Sequence, residues 1–255
     1  MKNDFEMIVR ELPRDLDKIN VYPLGDLHIG SPEFSYNKWD KWKHMVKEDK
    51  NGYIVIIGDL MDNGLIGSKT NPYEAVMTPT QQKKWLLTEF KDFMAERLLG
   101  ATQGNHEYRT NILIGESPLY EVMRECHVQD LYRPNMAFIK VNLGTKTKDR
   151  QYSYSLVLCH GASKGKKDKF APTIDGMDCL ISGHTHDAHC DFPAKIVMDT
   201  KNNVVREVGY ATLVVPSFLE YGGYGMRAMY TPKGNHKIPV IELSGTRKNL
   251  DICWR

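Results

Sequence analysis

The chain has 255 residues and a net charge of +2, so it has no global positive field to hold a polyanion, and any basic footprint must be local. Hydrophobic residues make up 41% and charged residues 26%, the balance of a chain that folds around a large core and not of a disordered one. No apolar run reaches the length of a membrane span, and the opening M-K-N-D-F-E lacks the apolar core of a secretory leader.

Residues 19–24 read as a short strand that ends in Gly25-Asp26-Leu27-His28. Residues 37–50 place Trp39, Trp42, Met45 and Val46 at helical spacing, which predicts a helix covering a sheet. Ile54 to Ile57 form an apolar β-branched run without polar alternation, the pattern of a strand buried on both faces. The run breaks at Gly58, and Asp59 and Asp62 follow. Alone, Asp59 reads as a helix cap; at the mouth of a buried strand, its carboxylate calls for a cation. Residues 64–79 carry Gly, Asn and Pro and read as a loop overhanging the strand ends. Residues 80–99 show the strongest helix pattern, with Trp85, Leu86, Phe90, Phe93, Met94, Arg97 and Leu98 near one stripe and Thr78 or Thr80 as the cap.

Residues 99–103 predict a weaker strand closed by Gly104-Asn105-His106-Glu107, and residues 117–126 a short helix. Residues 137–141 and 152–158 read as paired strands, the second ending in Cys159-His160-Gly161. Lys164, Lys166, Lys167 and Lys169 follow in a loop that is either solvated or a phosphate contact at the rim of a site. A strand at 178–182 leads to Gly183-His184-Thr185-His186. The tail carries strands at 212–215 and 238–243 and a Tyr-Gly stretch at 221–225, where Tyr221 and Tyr224 form a turn or stack on a base. Helices between strands give way to β-rich sequence, so the expected class is α/β within a single domain over residues 1–255. Cys126, Cys159, Cys179, Cys190 and Cys253 contain no C-x-x-C pair and read as reduced thiols of a cytoplasmic protein.

Five of these blocks share one grammar: an apolar run, usually a glycine, then Asp, Asn or His. Asp26-x-His28 and His184-x-His186 set two donors two residues apart, on one face if the backbone is extended. Asp59, Asn105 and His160 each follow a strand of their own. Oxygen and nitrogen donors without a thiolate suit Mn, Fe or Zn better than Ca or Mg. The set exceeds one tetrahedral zinc and matches two ions sharing a carboxylate. Any one block alone reads as an ordinary surface residue; the ordered set does not.

The series G-D-L-H, G-D-L-M-D-N-G, G-N-H-E, C-H-G and G-H-T-H, running from Asp26 to His186, resembles the calcineurin-like metallophosphoesterase superfamily. Its G-N-H-E-Y-R form, with Asn63-Gly64 after the second aspartate, is similar to stand-alone phosphoesterases of bacteriophages and prophages. The resemblance implies a two-sheet β-sandwich flanked by helices, with a motif core over 19–187 and residues 188–255 completing the second sheet. It implies two divalent transition-metal ions, manganese first, with iron, zinc or nickel as alternatives. Asp26, His28 and His186 would hold one ion, Asn105, His160 and His184 the other, and Asp59 would bridge them. A hydroxide shared by the ions would hydrolyse a phosphoester.

The same resemblance makes His106 the catalytic histidine, stabilising developing charge or protonating the leaving oxygen, with Asp62 orienting a histidine. Protein phosphatases of the superfamily carry an arginine where this chain has Asn63. Arg109 is then either the phosphate contact or a surface ion pair. The expected activity is a phosphodiesterase or nuclease on nucleic acid or a nucleotide, with Lys164, Lys166 and Lys167 at the substrate, in the host cytoplasm if phage-encoded. A phosphomonoesterase of metabolites or phosphoproteins is the alternative, and a non-catalytic scaffold with the same fold is the alternative of another class. His44, His127, His189, His236 and the cysteines fall outside the motifs and are expected to be replaceable.

Overall fold

In the computed structural model, which describes residues 5–68, 71–145, 148–161, 164–233 and 237–255, the chain opens with β1 (Ile8–Glu11) and β2 (Lys18–Gly25). Helix α1 (Tyr36–Glu48) starts at Ser35, whose hydroxyl accepts from the Lys38 N–H, and it buries Trp39, Trp42 and Val46 as their spacing predicts. Strand β3 (Gly52–Gly58) contains the unbroken apolar run. Helix α2 (Pro79–Glu89) is capped by Thr78 in a reciprocal box with Gln81, with Pro79 in the first turn. It passes through a π-helical stretch at Phe90–Met94 into the short α3 (Ala95–Arg97).

The predicted helix runs to residue 99, but Leu98 and Leu99 already belong to β4 (Leu98–Thr102), every residue of which is buried. Arg97, read as part of the apolar stripe, instead donates to the carbonyls of Val46, Asp49 and Gly52 at 2.9, 2.6 and 3.2 Å, tying the helix end to the turn before β3.

Helix α4 (Asn105–Ile114) has no counterpart in the sequence expectations. Its apolar residues Ile112, Leu113 and Ile114 are exposed, so no buried stripe announces it. Helix α5 (Pro118–Glu125) lies where residues 117–126 predict one. Strands β5 (Tyr132–Arg133), β6 (Met136–Thr145) and β7 (Lys148–Cys159) follow, the last two antiparallel. The lysine-rich stretch is not a loop: it forms α6 (Lys164–Phe170), anchored by buried Lys167 and, one turn on, buried Ala171. Then come β8 (Cys179–Ser182), β9 (His189–Asp191), β10 (Ala194–Asp199), β11 (Val204–Gly209), β12 (Ala211–Val214), a one-turn α7 (Gly223–Arg227) in the Tyr-Gly stretch, β13 (Pro239–Ser244) and β14 (Leu250–Trp254).

The strands form two six-stranded mixed sheets, ordered β14-β13-β2-β3-β4-β5 and β1-β6-β7-β8-β12-β9, with β10 and β11 as a separate hairpin. The tail therefore adds strands to both sheets. Strands β2, β3 and β4 run parallel, and α1 and α2 lie in their connections. The period-2 geometry of β3 explains its unbroken apolar run. Ile54 and Ile56 pack with Trp39, Trp42 and Phe90 under the helices, while Val55 and Ile57 pack with Ile139, Leu156 and Leu213 of the other sheet. Burying each such side chain contributes about 1.5–3 kcal/mol. Among the described residues no helix is long and apolar enough to cross a membrane.

The parallel pairing sets where the strand-end loops gather. β2, β3 and β4 end side by side, as do β7 and β8 in the facing sheet. The loops beyond those carboxyl ends carry Asp26, Asp59, Asn105, His160 and His184, at the place where open α/β sheets hold their ligands.

Candidate metal centre

The donors stand on strained backbone. Asp26, His28, Asp59, His184 and His186 all have left-handed φ, at 49°, 51°, 51°, 69° and 55°. The two Asp/His-x-His pairs therefore do not lie on extended chain, as their spacing suggests. Alternate residues turn left-handed instead, and Leu27 between the first pair is fully buried. Each such residue costs about 1–2 kcal/mol, so surrounding bonds must hold it. The N–H groups of Asp26, His28 and Ile29 donate to the carbonyls of Gly58, Asp59 and Leu60 at 3.0, 3.0 and 2.9 Å, and the Asp62 N–H returns to Ile29 at 3.0 Å.

The loop after β3 is held from below by Glu107, to which the sequence reading assigns no role. It is 0% exposed, and its Oε2 accepts from the N–H groups of Asp59 and Gly104, both at 2.9 Å. Its Oε1 accepts from Leu60 and Met61 at 2.7 and 3.0 Å. Burial pushes this carboxyl up while the backbone donors pull it back. Asn63 is also built into the frame: its amide donates to the His106 carbonyl at 2.6 Å and to Thr110 Oγ1 at 2.9 Å. Gly104 is required where it stands, since a Cβ there would collide with the Asp59 carboxylate.

The side chains gather in two groups that meet at Asp59. In the first, His28 Nε2 and His186 Nε2 are 3.3 Å apart, and His186 Nε2 is 3.4 Å from Asp26 Oδ1. In the second, His160 Nε2 lies 3.0 Å from both Asp59 Oδ2 and Asn105 Oδ1, and His184 Nδ1 lies 2.8 Å from Asn105 Oδ1. Asp59 Oδ2 is 4.0 Å from His28 Nε2, between the groups. The other Asp59 oxygen accepts from the His106 N–H at 2.8 Å. Donor atoms of Asp26, His28 and His186 lie within 4.8 Å of one another, and so do those of Asp59, His160 and His184.

These contacts test whether a cation fits. His160 Nδ1 faces the Ile57 carbonyl at 3.0 Å, which places the ring proton there and turns the Nε2 lone pair toward two oxygen acceptors. Electron pairs converge on that point, and only a proton or a metal ion relieves them. With a proton there, burial works against the charge but the bond and charge of Asp59 outweigh it, raising His160 to about 9. Burial likewise opposes ionisation of Asp59, yet His160, His106 and His28 hold it well below the usual carboxylate range. His28 is driven far down by burial and by His106, so it presents a neutral imidazole. The oxygen and nitrogen donors are the right chemistry for divalent transition ions.

His106 stands beside His28, their ring centroids 4.4 Å apart, and its donor atoms fall within 4.8 Å of those of His28 and Asp62; its Nδ1 is 2.6 Å from the Asp62 carbonyl and its Nε2 3.0 Å from Arg109 Nη2. Burial is the main cause of its lowered pKa, with Arg109 adding to it and Asp59 opposing. The Asp62 carboxylate, expected to orient a histidine, stays 3.9 Å from His28 Nδ1 and 3.8 Å from His106 Nδ1; its backbone carbonyl does the orienting. Asp62 Oδ2 is buried without a hydrogen bond in the described structure, and burial pushes that carboxyl up to about 7 against the pull of Arg109. Arg109 also reaches the Asp62 carbonyl, at 3.3 Å.

Lys166 and Lys169 are exposed on α6, Lys167 is buried, and the side chain of Lys164 lies outside the described residues, as does His236. His189, set aside in sequence, takes a bond from Lys167 at 3.0 Å; a separation of 22 residues hides that contact from any local pattern. All five cysteines are free and none joins the centre.

A layered α/β fold whose aspartate, asparagine and histidine side chains converge beyond the ends of parallel strands is the arrangement of a metal-dependent phosphoesterase. Residues 19–188 match the calcineurin-like phosphoesterases, and the chain belongs to that family. No curated protein matches the chain. Similar solved structures include an archaeal phosphodiesterase, at 14% identity and TM-score 0.47, with 93% of this chain and 100% of that one covered. A metallophosphoesterase of Sphaerobacter thermophilus is 9% identical, at TM-score 0.47, with 93% and 88% covered. Vps29 of Entamoeba histolytica, complexed with zinc, is 12% identical, at TM-score 0.39, with 93% and 98% covered. These likenesses are distant, and membership of the family rests on the sequence match. The family and the clustered side chains together point to divalent metal ions.

Proposed function

We propose that this protein is a phosphodiesterase acting on nucleic acid or a nucleotide, with two transition-metal ions, manganese by preference, held by Asp26, His28 and His186 and by Asn105, His160 and His184, and shared through Asp59. The observation that carries the metal assignment is the His160 Nε2 lone pair, 3.0 Å from one oxygen of Asp59 and from one of Asn105. Bound there, divalent ions polarise a phosphoryl oxygen and supply a nucleophile at neutral pH.

The remaining steps belong to the chain. Because His106 Nδ1–H is committed to the Asp62 carbonyl, a proton on Nε2 makes an imidazolium, with Asp59 Oδ2 and Asp62 Oδ1 each 3.8 Å from the ring nitrogens. In hydrolysis a bond forms from water oxygen to phosphorus and the ester bond breaks; the proton the water loses balances the one the leaving oxygen gains, and His106, once Arg109 has turned away from its Nε2, carries that proton and passes it to the leaving oxygen. Arg109, now against His106, turns to a non-bridging phosphate oxygen as substrate enters.

Two features support a diester. Asn63 is tied into the frame and cannot serve as a phosphatase arginine does, leaving less charge to meet a dianionic monoester. Lys166 and Lys169 stand exposed on α6, close after His160, where they can take flanking phosphates. Closeness to phage-encoded members, with a host-cytoplasm location, rests on the G-N-H-E-Y-R form alone. The test is manganese-supported turnover of bis-p-nitrophenyl phosphate, p-nitrophenyl phosphate and single-stranded DNA. We expect the diester and DNA to be cleaved faster, and Lys166→Ser with Lys169→Ser to flatten the salt dependence on DNA by up to about 0.7 of slope per lost contact. Faster cleavage of the monoester would refute the reading.

A further inference from the structure

A cavity of about 740 Å³ opens directly beside Asn105 and His160. Its size falls in the range of small-molecule sites, about 300–1,000 Å³, and a lone phosphoryl group would leave most of it empty. Met136 and Leu180 come from strands of the second sheet, and Tyr108 and Phe170 from α4 and α6 on either side. Tyr108 and Phe170 are 45% and 41% exposed as residues, so neither is fully covered by the rest of the chain.

Lys167 also lines this cavity, and it is only 5% exposed. Its ammonium lies 3.0 Å from His189 Nε2, and the other ring nitrogen of His189 is engaged by the Asp187 carbonyl. The Asp168 carboxylate is 3.8 Å away, beyond a hydrogen bond. An ammonium kept from water beside an imidazole is costly to hold, and an anion entering the cavity would offset that cost.

Resting on the phosphodiesterase reading above, we propose that this cavity receives one arm of the ester, a nucleoside whose base packs against Tyr108 or Phe170 and whose own further phosphate meets Lys167. An ester with phosphorus at Asn105 and His160 must send one of its two arms somewhere, and this cavity begins at those residues. An aromatic base suits these two aromatic residues, since any base offers a π face for stacking. A fatty acyl arm would suit the apolar floor but bring no anion within hydrogen-bond reach of Lys167, whose nearest carboxylate, Asp168, is 3.8 Å away.

The experiment compares p-nitrophenyl phosphodiesters that share one leaving group and differ in the other arm: methyl, octyl, thymidine 5′-linked, and the same thymidine carrying a 3′-phosphate. We expect kcat/KM to rise by about tenfold or more from methyl to thymidine, and again with the 3′-phosphate. Lys167→Met should remove the second gain, and Thr173→Trp, which fills the cavity from an exposed lining position, should lower the thymidine-to-methyl ratio. Equal rates for all arms, or a preference for octyl, would overturn the proposal.

A binding arm separates this proposal from the reading it rests on. Thymidine 3′,5′-bisphosphate should bind chelator-treated protein, more weakly in both variants, by calorimetry. If it binds in this way while every diester is inert, the cavity assignment stands and the phosphodiesterase reading falls. If it fails to bind, or binds parent and variants alike, the cavity assignment falls whatever the kinetics.

Discussion

Replacing Glu107 by Gln changes one oxygen to an amide nitrogen and leaves the shape intact, so it isolates what the buried carboxylate contributes. Each Glu107 oxygen accepts two backbone N–H groups, at 2.9 and 2.9 Å on Oε2 and 2.7 and 3.0 Å on Oε1. Whichever way the glutamine sits, its NH₂ faces one of those pairs, and two buried donors lose their acceptor. At about 1–3 kcal/mol for each unsatisfied group, the loss is about 2–6 kcal/mol, and relief from burying a charge takes back part of it. A net loss near 3 kcal/mol lowers Tm by about 6–12 °C in a chain of this size. The Oε2 side matters more to function, because its donors belong to Asp59 and to Gly104, the residue before Asn105. The assay is thermal unfolding of parent and variant with and without chelator, together with metal content. A variant that melts within about 2 °C of the parent and holds full metal would refute the claim that this carboxylate sets the loop.

Three further outcomes follow from the same geometry. His106→Ala should keep its metal, because the bond to Asp59 comes from the backbone N–H, while kcat falls by about 10²–10⁴; an equally active variant would remove His106 from the reaction. Asp59→Asn should lose metal and activity together, measured by elemental analysis, since this carboxylate stands between both donor groups. Metal affinity should rise with pH, because a proton holds His160 up to about 9 and must leave before an ion binds. The proton is bound below that value, so affinity gains about tenfold per pH unit up to it and then levels; a dissociation constant flat from about pH 6 to 9 would contradict this.

Some of this architecture is written locally and some is not. Ile54–Ile57 announces a strand covered on both faces because neither face needs a polar residue, and the structure covers both. The Asp26/His28 and His184/His186 pairs are visible through spacing, although the physical reason differs: left-handed turns, not extended chain, bring the members of each pair together. Helix α4 is hidden because its apolar side chains face outward. Helix α6 is hidden because four lysines in a row of six look solvated, and only Lys167 meeting His189 shows which side turns inward. Glu107 looks like any helical glutamate, since its burial is decided by a loop 46 to 48 residues earlier in the chain.

Because the centre draws on loops from both sheets, it also governs how the two layers come apart. His184 N–H donates to both Asp26 oxygens at 3.0 and 2.9 Å across 158 residues of sequence, and His160 reaches the Ile57 carbonyl across 103. An ion held by these segments would rivet one layer to the other and close a loop longer than most disulfides do, a constraint on the unfolded chain worth about 4–5 kcal/mol in the chain-entropy picture. Either sheet peeling away would destroy the donor set, so an ion held there would leave at least as fast as the layers part. Its dissociation rate, readable in a chelator chase without any substrate, then sets a ceiling on how fast the two layers open.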